Sequence, residues 1–274
     1  MFRRIFVRTT LSFLIALPIF FALAGSDAAA ALQAAEPSEA GLLPHAEESY
    51  RRGLQALTTQ DRLEPDAIWV LQQVLRSRPD PELERFVQAR IDDHRQHPMR
   101  KLVLPDSPRF PLPETPGRGI ERLTTYTMAP FGAPEERALA FIAEFLSNES
   151  SGYILTHQLL VLEWARQAEL ELPAALAGQR RNLIERMARE QAAEPEFSDL
   201  FAERAALLLL YARPAPEVVR QWISRIVDRQ HADGTWGRHS FSVTYDSETV
   251  LTEPQTAHTL VLSLLVLRLY LDRY

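Results

Sequence analysis

Two histidines and two carboxylates are the residues of this sequence best suited to chemistry. His157 and His258 each lie near the start of an apolar helical stretch, and Asp199 and Glu203 lie near the start of a third stretch between them. If these helix starts meet at one end of a cavity, His157, His258 and Asp199 could hold a divalent metal such as zinc, or the group could supply an acid/base pair. The alternative is that each histidine caps its own helix or bonds to a loop carbonyl.

Further candidate residues lie in the turns and loops beside these helices. Tyr153, in the turn Ser151-Gly152-Tyr153, is a third candidate catalytic residue, although this turn could simply connect two helices. The segment 238–254 is too polar for a core and too long for a minimal connection, and long insertions often carry function. A solvated flap is the alternative. The predicted ligand-binding residues are Asp199, Glu203, Trp236, His239, Tyr245 and Glu253.

Helical periodicity positions these residues. The apolar spacing predicts three short helices in an N-terminal unit, residues 45–97, and six helices in a larger domain, residues 120–274. The six have predicted bounds of 134–147, 157–168, 174–193, 199–211, 216–230 and 256–270. The second, fourth and sixth are apolar almost all round and should be buried, whereas the other three carry one apolar stripe. The only weak strand signal is at residues 241–245, as in a short hairpin arm.

This alternation of buried and half-exposed helices predicts an all-α fold of stacked helical hairpins. Inner helices would line the centre and outer helices would cover them. The inner starts near residues 157, 199 and 258 are compatible with a repeat of roughly 40 residues, with an insertion before the last one.

The turn Gln230-His231-Ala232-Asp233-Gly234-Thr235-Trp236-Gly237 resembles a known motif. It is similar to the Q-x-x-D-G-x-W-G turn between outer and inner helices of the α/α-toroid proteins, which include terpene cyclases and prenyltransferase β-subunits. The resemblance runs from roughly Glu217 to Tyr270 and implies a partial or closed α/α toroid. It also implies that Gln230 caps neighbouring backbone groups and that Trp236 stacks over a helix end.

The activities of these families are not implied. Class II cyclases use a D-x-D-D acid, and this chain has only Asp92-Asp93, without the preceding aspartate. The prenyltransferase β-subunits and the lanthionine cyclases hold zinc with a cysteine, and this chain contains no cysteine. The resemblance therefore extends to the architecture alone.

The first residues indicate export. Arg3, Arg4 and Arg8 precede a short apolar run that ends at Ala22-Leu23-Ala24, which predicts a signal peptide over residues 1–24 and a periplasmic or secreted protein. An uncleaved anchor, the only expected membrane contact, is the alternative. Residues 25–44 are predicted to be a disordered lead-in. The Pro-rich residues 98–119 are predicted to be a linker, or a long loop that packs as a lid.

Charge and context limit the partners. A net charge of −6 disfavours nucleic acid, which needs clustered cations. Two function classes remain, and the oligomeric state is open. The first is a binding or accessory protein whose groove takes an envelope or extracellular polymer or protein. The second is a lyase or hydrolase that acts on a polysaccharide or peptide. An enzyme should contain a deep cavity with histidine and carboxylate side chains, whereas a scaffold should fill its centre with Leu and Trp.

Overall fold

The computed structural model describes residues 39–274, except residues 96, 98, 110, 241, 246, 247, 252 and 253. The described residues form eleven α-helices and one antiparallel β-hairpin. In chain order these are α1 (Glu39–Leu57), α2 (Pro65–Ser77), α3 (Pro81–Asp92), α4 (Arg100–Val103), α5 (Gly119–Gly132), α6 (Glu135–Leu146), α7 (Gly152–Gln167), α8 (Ala174–Ala193), α9 (Asp199–Tyr211), α10 (Pro216–Asp228), β1 (Ser242–Tyr245), β2 (Glu248–Leu251) and α11 (Ala257–Arg273). The predicted all-α class and the short hairpin arm are confirmed.

The three helices expected to be buried, α7, α9 and α11, are buried on nearly all sides. Helix α11 lies at the centre, where it packs against α9, α2, α1 and α10, and α9 in turn packs against α7 and α8. Helices α8 and α10 bury only a stripe of each surface, as their charged faces predict. The predicted site residues of α7, α9 and α11 lie in the N-terminal halves of these three buried helices.

Helix α5 was not predicted. Its sequence includes three threonines and ends in Pro130-Phe131-Gly132, and both β-branched residues and proline weaken a helical signal. Nine of its residues are nevertheless buried, in contact with α6, α7 and the hairpin. Burial of this surface outweighs the low intrinsic helix propensity.

The N-terminal helices belong to the same compact unit as the rest of the described chain. Helices α1 and α2 pack directly against α11. Helix α1 begins at Glu39, so the predicted disordered lead-in, 25–44, is wrong for its last residues, and the helix continues through Pro44. Leu42 is buried there, which explains why this turn is ordered despite its composition. The predicted signal peptide and residues 25–38 lie outside the described residues.

The Pro-rich segment 98–119 does not separate two folding units. It contains α4, whose Leu102 and Val103 are buried. The carbonyl of Val103 accepts a hydrogen bond from Gln72 of α2, and that of Leu102 accepts one from Gln167 of α7. This segment lacks helical periodicity because it is a loop that crosses the surface. Hydrogen bonds hold it to α2 and α7.

The turn after α10 has the structural role that the resemblance implied. The Gln230 side chain donates to the carbonyl oxygens of Ser49, in α1, at 2.8 Å and of Gly234 at 2.9 Å. The buried Trp236 donates its indole N–H to the carbonyl of Ile226 at 2.6 Å, at the end of α10. The turn thus connects the end of α10 to α1 through side-chain hydrogen bonds.

In the described part of the chain, no helix has both the length and the apolar character needed to cross a membrane.

Candidate functional site

A cavity of about 690 Å³ lies between α2, α5, α7, α9 and α11. Its more exposed lining comes from residues 60–66 ahead of and at the start of α2, from Arg238, and from residues 254–256 ahead of α11. Tyr153, His157, Glu203 and His258 all line it, and Asp199 lies directly behind His258. The structure therefore brings five of the predicted site residues together.

Asp199 is the centre of a buried hydrogen-bond network. It is the first residue of α9, directly after Ser198, whose hydroxyl caps the helix by accepting from the N–H of Phe201. Its side chain is 2% exposed and accepts hydrogen bonds from three donors. These are His258 Nδ1, at 3.0 Å from both carboxylate oxygens, the Tyr153 hydroxyl at 3.0 Å and the Thr259 hydroxyl at 2.5 Å. Such a carboxylate is locked in place and has little freedom to attack a substrate.

Asp199 and His258 form an ion pair. Burial opposes both charges, but the attraction and hydrogen bond between the two groups prevail. The pKa of Asp199 is lowered, helped by Thr259 and Tyr153, and the pKa of His258 is raised to about 10, helped by Asp66 and Glu203. At neutral pH, Asp199 is therefore an anion and His258 a cation.

Glu203 lies one helical turn beyond Asp199 and has the opposite electrostatic environment. It is 4% exposed, and its Oε1 atom has no hydrogen-bond partner among the described residues. Burial raises the pKa of the Glu203 carboxyl and the Asp199 charge raises it further, whereas His157 and His258 lower it. The net shift toward the protonated form makes Glu203 the better suited of the two carboxyl groups to donate a proton in the cavity.

One ring nitrogen of His157 is held by a hydrogen bond within its own helix. Its Nδ1 atom lies 2.7 Å from the backbone carbonyl oxygen of Tyr153 in its own helix. Because a carbonyl oxygen can only accept, Nδ1 carries the hydrogen, and in the neutral ring Nε2 is then an acceptor. The acceptor is a carbonyl within the same helix rather than the expected loop carbonyl, and this bond leaves Nε2 able to act as a base in the cavity.

The carboxylate and histidine atoms that could hold a metal differ from those predicted. Among the described residues, the group whose ligand atoms lie within 4.8 Å of one another consists of Asp199, Glu203 and His258, without His157. Three such ligands would suit an open zinc site. However, the pKa of His258 means that a metal would have to displace a tightly held proton, and Asp199 already accepts three donors. The donor set fits proton chemistry better than metal binding.

The other predicted ligand-binding residues lie away from this cavity. Trp236 is buried beneath the turn, and His239 Nε2 bonds to the Trp236 carbonyl at 2.7 Å. Tyr245 packs its ring against Tyr126 and Phe145 and lines a separate cavity of about 680 Å³. The structure therefore does not bring Trp236, His239 and Tyr245 into the cavity, because these side chains pack in the turn and against the hairpin. Glu253 lies outside the described residues.

Helix α2 contributes site residues that the sequence interpretation missed. The Asp66 carboxylate lies 4.0 Å from His258 Nε2, so His258 is placed between two acidic groups. Trp69, one turn along α2, also lines the cavity and packs edge-on against Trp164 of α7. These contacts were not expected, because the sequence predicts that residues 45–97 form a separate unit.

Four helices line the cavity in a similar way. In each, a titratable residue is followed three or four positions later by an apolar residue on the same face, and all eight line the cavity. The pairs are Asp66 and Val70, His157 and Leu160, Glu203 and Leu207, and His258 and Leu262. The spacing alone could not have identified α2, because Glu82 and Phe86 of α3 share it and do not line this cavity.

Comparison with known proteins adds no further identification. No protein family model matches this chain, and neither a curated protein nor a solved structure is similar enough to count as a match.

Proposed function

We propose that this protein is an acid/base enzyme, a hydrolase or a lyase, whose active site is the cavity between α2, α7, α9 and α11. The observation that carries the proposal is the pair of carboxyl groups on one face of α9. Asp199 has a lowered pKa and Glu203 a raised pKa, although they are one turn apart. Environments that separate the pKa values of neighbouring groups in this way are typical of an acid and its ionised partner in a catalytic site.

The geometry supports a distinct role for each side chain. Glu203 is the general acid that protonates a leaving group, and His157 Nε2 is the general base that activates water or removes a substrate proton. His258 remains a cation and stabilises negative charge that develops in the transition state. Asp199 acts as a positioning residue that orients His258.

Tyr153 is also a positioning residue in this proposal. Burial raises the pKa of its phenol, and the Asp199 charge and their hydrogen bond raise it further. A raised pKa disfavours the phenolate that a catalytic base would require. Donation of its hydroxyl to Asp199 instead helps to hold the carboxylate beneath His258.

Two further properties complete the proposal. The contacts of α2 with α11, α11 with α9 and α9 with α7, together with the Trp69 to Trp164 contact back to α2, are consistent with a small α/α toroid. The signal-like residues 1–24 favour export, so we propose a polysaccharide or peptide of the envelope or the extracellular medium as the substrate source. The open space at the centre, rather than a filling of Leu and Trp, favours the enzyme over a scaffold.

The second candidate function is an exported binding or accessory protein. It is favoured by the apolar part of the cavity, where Leu160, Leu207, Leu262 and Trp164 provide contact surface without chemical groups. In that case the polar network would orient a ligand without transforming it.

Activity assays on variants test the proposal. The full chain is assayed on a panel of chromogenic glycosides, esters and peptides, and the best substrate is then used to compare Glu203→Gln and His157→Gln with wild type. We expect each variant to lose about 10²- to 10⁴-fold in kcat, because each removes one proton transfer. The exposed Glu185→Gln is the control and should retain full activity. Unchanged kcat in Glu203→Gln would overturn the proposal, and saturable ligand binding without turnover on the whole panel would favour the binding protein.

A further inference from the structure

The cavity has a polar part and an apolar part, and residues of the same four helices, α2, α7, α9 and α11, line both parts. Asp66, His157, Glu203 and His258 form the polar part. Side chains three or four residues apart lie on one face of a helix, so each helix also presents an apolar residue one turn further along. These residues form the apolar part, and they are Val70, Leu160, Leu207 and Leu262, with Trp164 beyond Leu160.

The apolar part is reached only from inside the cavity. Leu160 is 8% exposed and Leu207 and Leu262 are 3% exposed, yet all three line the cavity. A purely polar substrate would displace water from these surfaces without making apolar contacts with them. Most ligand pockets gain affinity from such apolar contacts. An apolar group on the substrate is therefore favoured next to the bond that the polar part would act on.

Groups of both signs lie at the cavity. Arg62, Arg238 and His258 contribute positive charge, and Glu64 and Asp66 contribute negative charge together with Asp199 behind His258. Burial raises the pKa of Glu203, which disfavours a further negative charge. A charged head group therefore meets repulsion as well as attraction, and it would have to give up its hydration for little return.

We infer that the part of the substrate enclosed by this cavity is an uncharged amphiphilic unit, in which a neutral polar group lies at His157, Glu203 and His258 and an alkyl or aromatic group lies against Leu160, Leu207 and Leu262. This inference rests on the proposed function for the reacting end only. A cavity of about 690 Å³ is within the range of sites that enclose such molecules, ~300–1,000 Å³.

A chain-length series of alkyl glucosides, from methyl to octyl, tests the inference by calorimetric binding below their micelle concentrations. The full chain carrying Glu203→Gln is used so that turnover does not interfere. We expect the dissociation constant to fall about fourfold for each added methylene until the apolar part is filled, since burial of one methylene contributes ~0.8 kcal/mol. Octyl sulfate and octyltrimethylammonium should bind at least tenfold more weakly than octyl glucoside.

Two neighbouring leucines of α7 provide matched variants. Leu160→Ala enlarges the apolar part and should move the limiting chain length upward. Leu159→Ala removes a buried side chain that does not line the cavity and should leave that length unchanged. Circular dichroism shows whether each variant folds. Affinity that is independent of chain length, or that is highest for a charged head group, overturns the inference.

The outcomes separate the two proposals. If alkyl glucosides bind with the expected length dependence but the substrate panel shows no turnover, the amphiphile site stands and the enzyme is rejected. If turnover is found only on polar substrates, the enzyme stands and the amphiphile is rejected.

Discussion

At the scale of single residues, Asp199 and Glu203 show how position sets chemistry. Both are buried carboxyl groups on α9, but Asp199 accepts three donors including a cation, whereas Glu203 has an oxygen without a partner among the described residues. Burial of a carboxyl group is costly in its charged form, and the partners of Asp199 outweigh this cost whereas those of Glu203 do not. The two groups therefore respond to pH in opposite directions.

Replacing Glu203 with glutamine should stabilise the fold progressively as pH rises. The folded-state pKa of Glu203 is raised above its ordinary value of ~4.3, so wild type loses stability as pH increases from that value through the folded-state pKa. Glutamine does not ionise and avoids this loss. Chemical denaturation between pH 4 and pH 8 measures the difference, and a difference that is constant over this range would contradict the raised pKa.

Replacing Asp199 with asparagine should destabilise the protein by about 3–5 kcal/mol near pH 6.5, because His258 loses its buried counter-charge. The folded-state pKa of His258, about 10, exceeds its ordinary value of 6.5, so this contribution is full below pH 6.5 and is lost as pH rises toward 10. The gap between variant and wild type should therefore narrow in urea titrations at pH 10. Glu48→Gln, in an exposed ion pair, is the control and should match wild type at both pH values.

At the scale of elements, the turn from Gln230 to Gly237 holds the end of α10 against α1. Its backbone passes so close to α1 that a side chain at Gly234 has no room, and Gln230 and Trp236 satisfy carbonyl groups on either side. Trp236 of the turn and Leu264 of α11 both lie against Gly53 of α1, and His258 is the second residue of α11. Its contribution to the site is thus indirect, through the position of that helix.

Two glycine substitutions separate a required glycine from a dispensable one. Gly234 has φ +84°, and a Cβ atom there would lie 2.5 Å from the backbone oxygen of Arg52, so Gly234→Ala should destabilise the fold by about 1–3 kcal/mol. Gly178 lies within α8 with open space around it, so Gly178→Ala should stabilise the fold by about 0.5–1 kcal/mol. Thermal denaturation compares them, and equal melting temperatures would refute this description of the turn.

At the scale of the whole molecule, the described chain is held together by contacts between its two ends. Helix α11 packs against α1, α2 and α9. Ser77 of α2 and Arg268 of α11 both bond to Asp272, and Trp69 of α2 donates to Gln167 of α7 at 3.1 Å. The site includes residues from both sides of the Pro-rich segment.

The fragment 120–274 alone should therefore fail to fold cooperatively. Without α1 and α2, the apolar surface that α11 buries against them would face water, which is unfavourable at ~25 cal/mol for each Å² exposed. Circular dichroism during thermal denaturation and binding of a hydrophobic dye test this, with the chain from residue 37 onward as the comparison. A sharp transition of the isolated fragment would restore the two-unit interpretation.

The sequence by itself determined most helices, because periodicity and capping are local properties that neighbouring residues encode. It also determined the burial of α7, α9 and α11 and the role of the Gln230 turn. It identified His157, His258, Asp199, Glu203 and Tyr153 as a group, since each lies toward the start of a buried helix. The predicted toroid and the predicted export remain predictions.

Only the tertiary structure decided what each side chain of the site contacts. Asp66 lies far from His258 in sequence, so no local pattern could place its carboxylate beside Nε2. The same holds for Trp236 and Tyr245, whose rings suggested a ligand surface but pack within the fold. The pKa values of Asp199 and Glu203 diverge for this reason too, because the donors that stabilise Asp199 come from α7 and α11, and only folding brings those helices together.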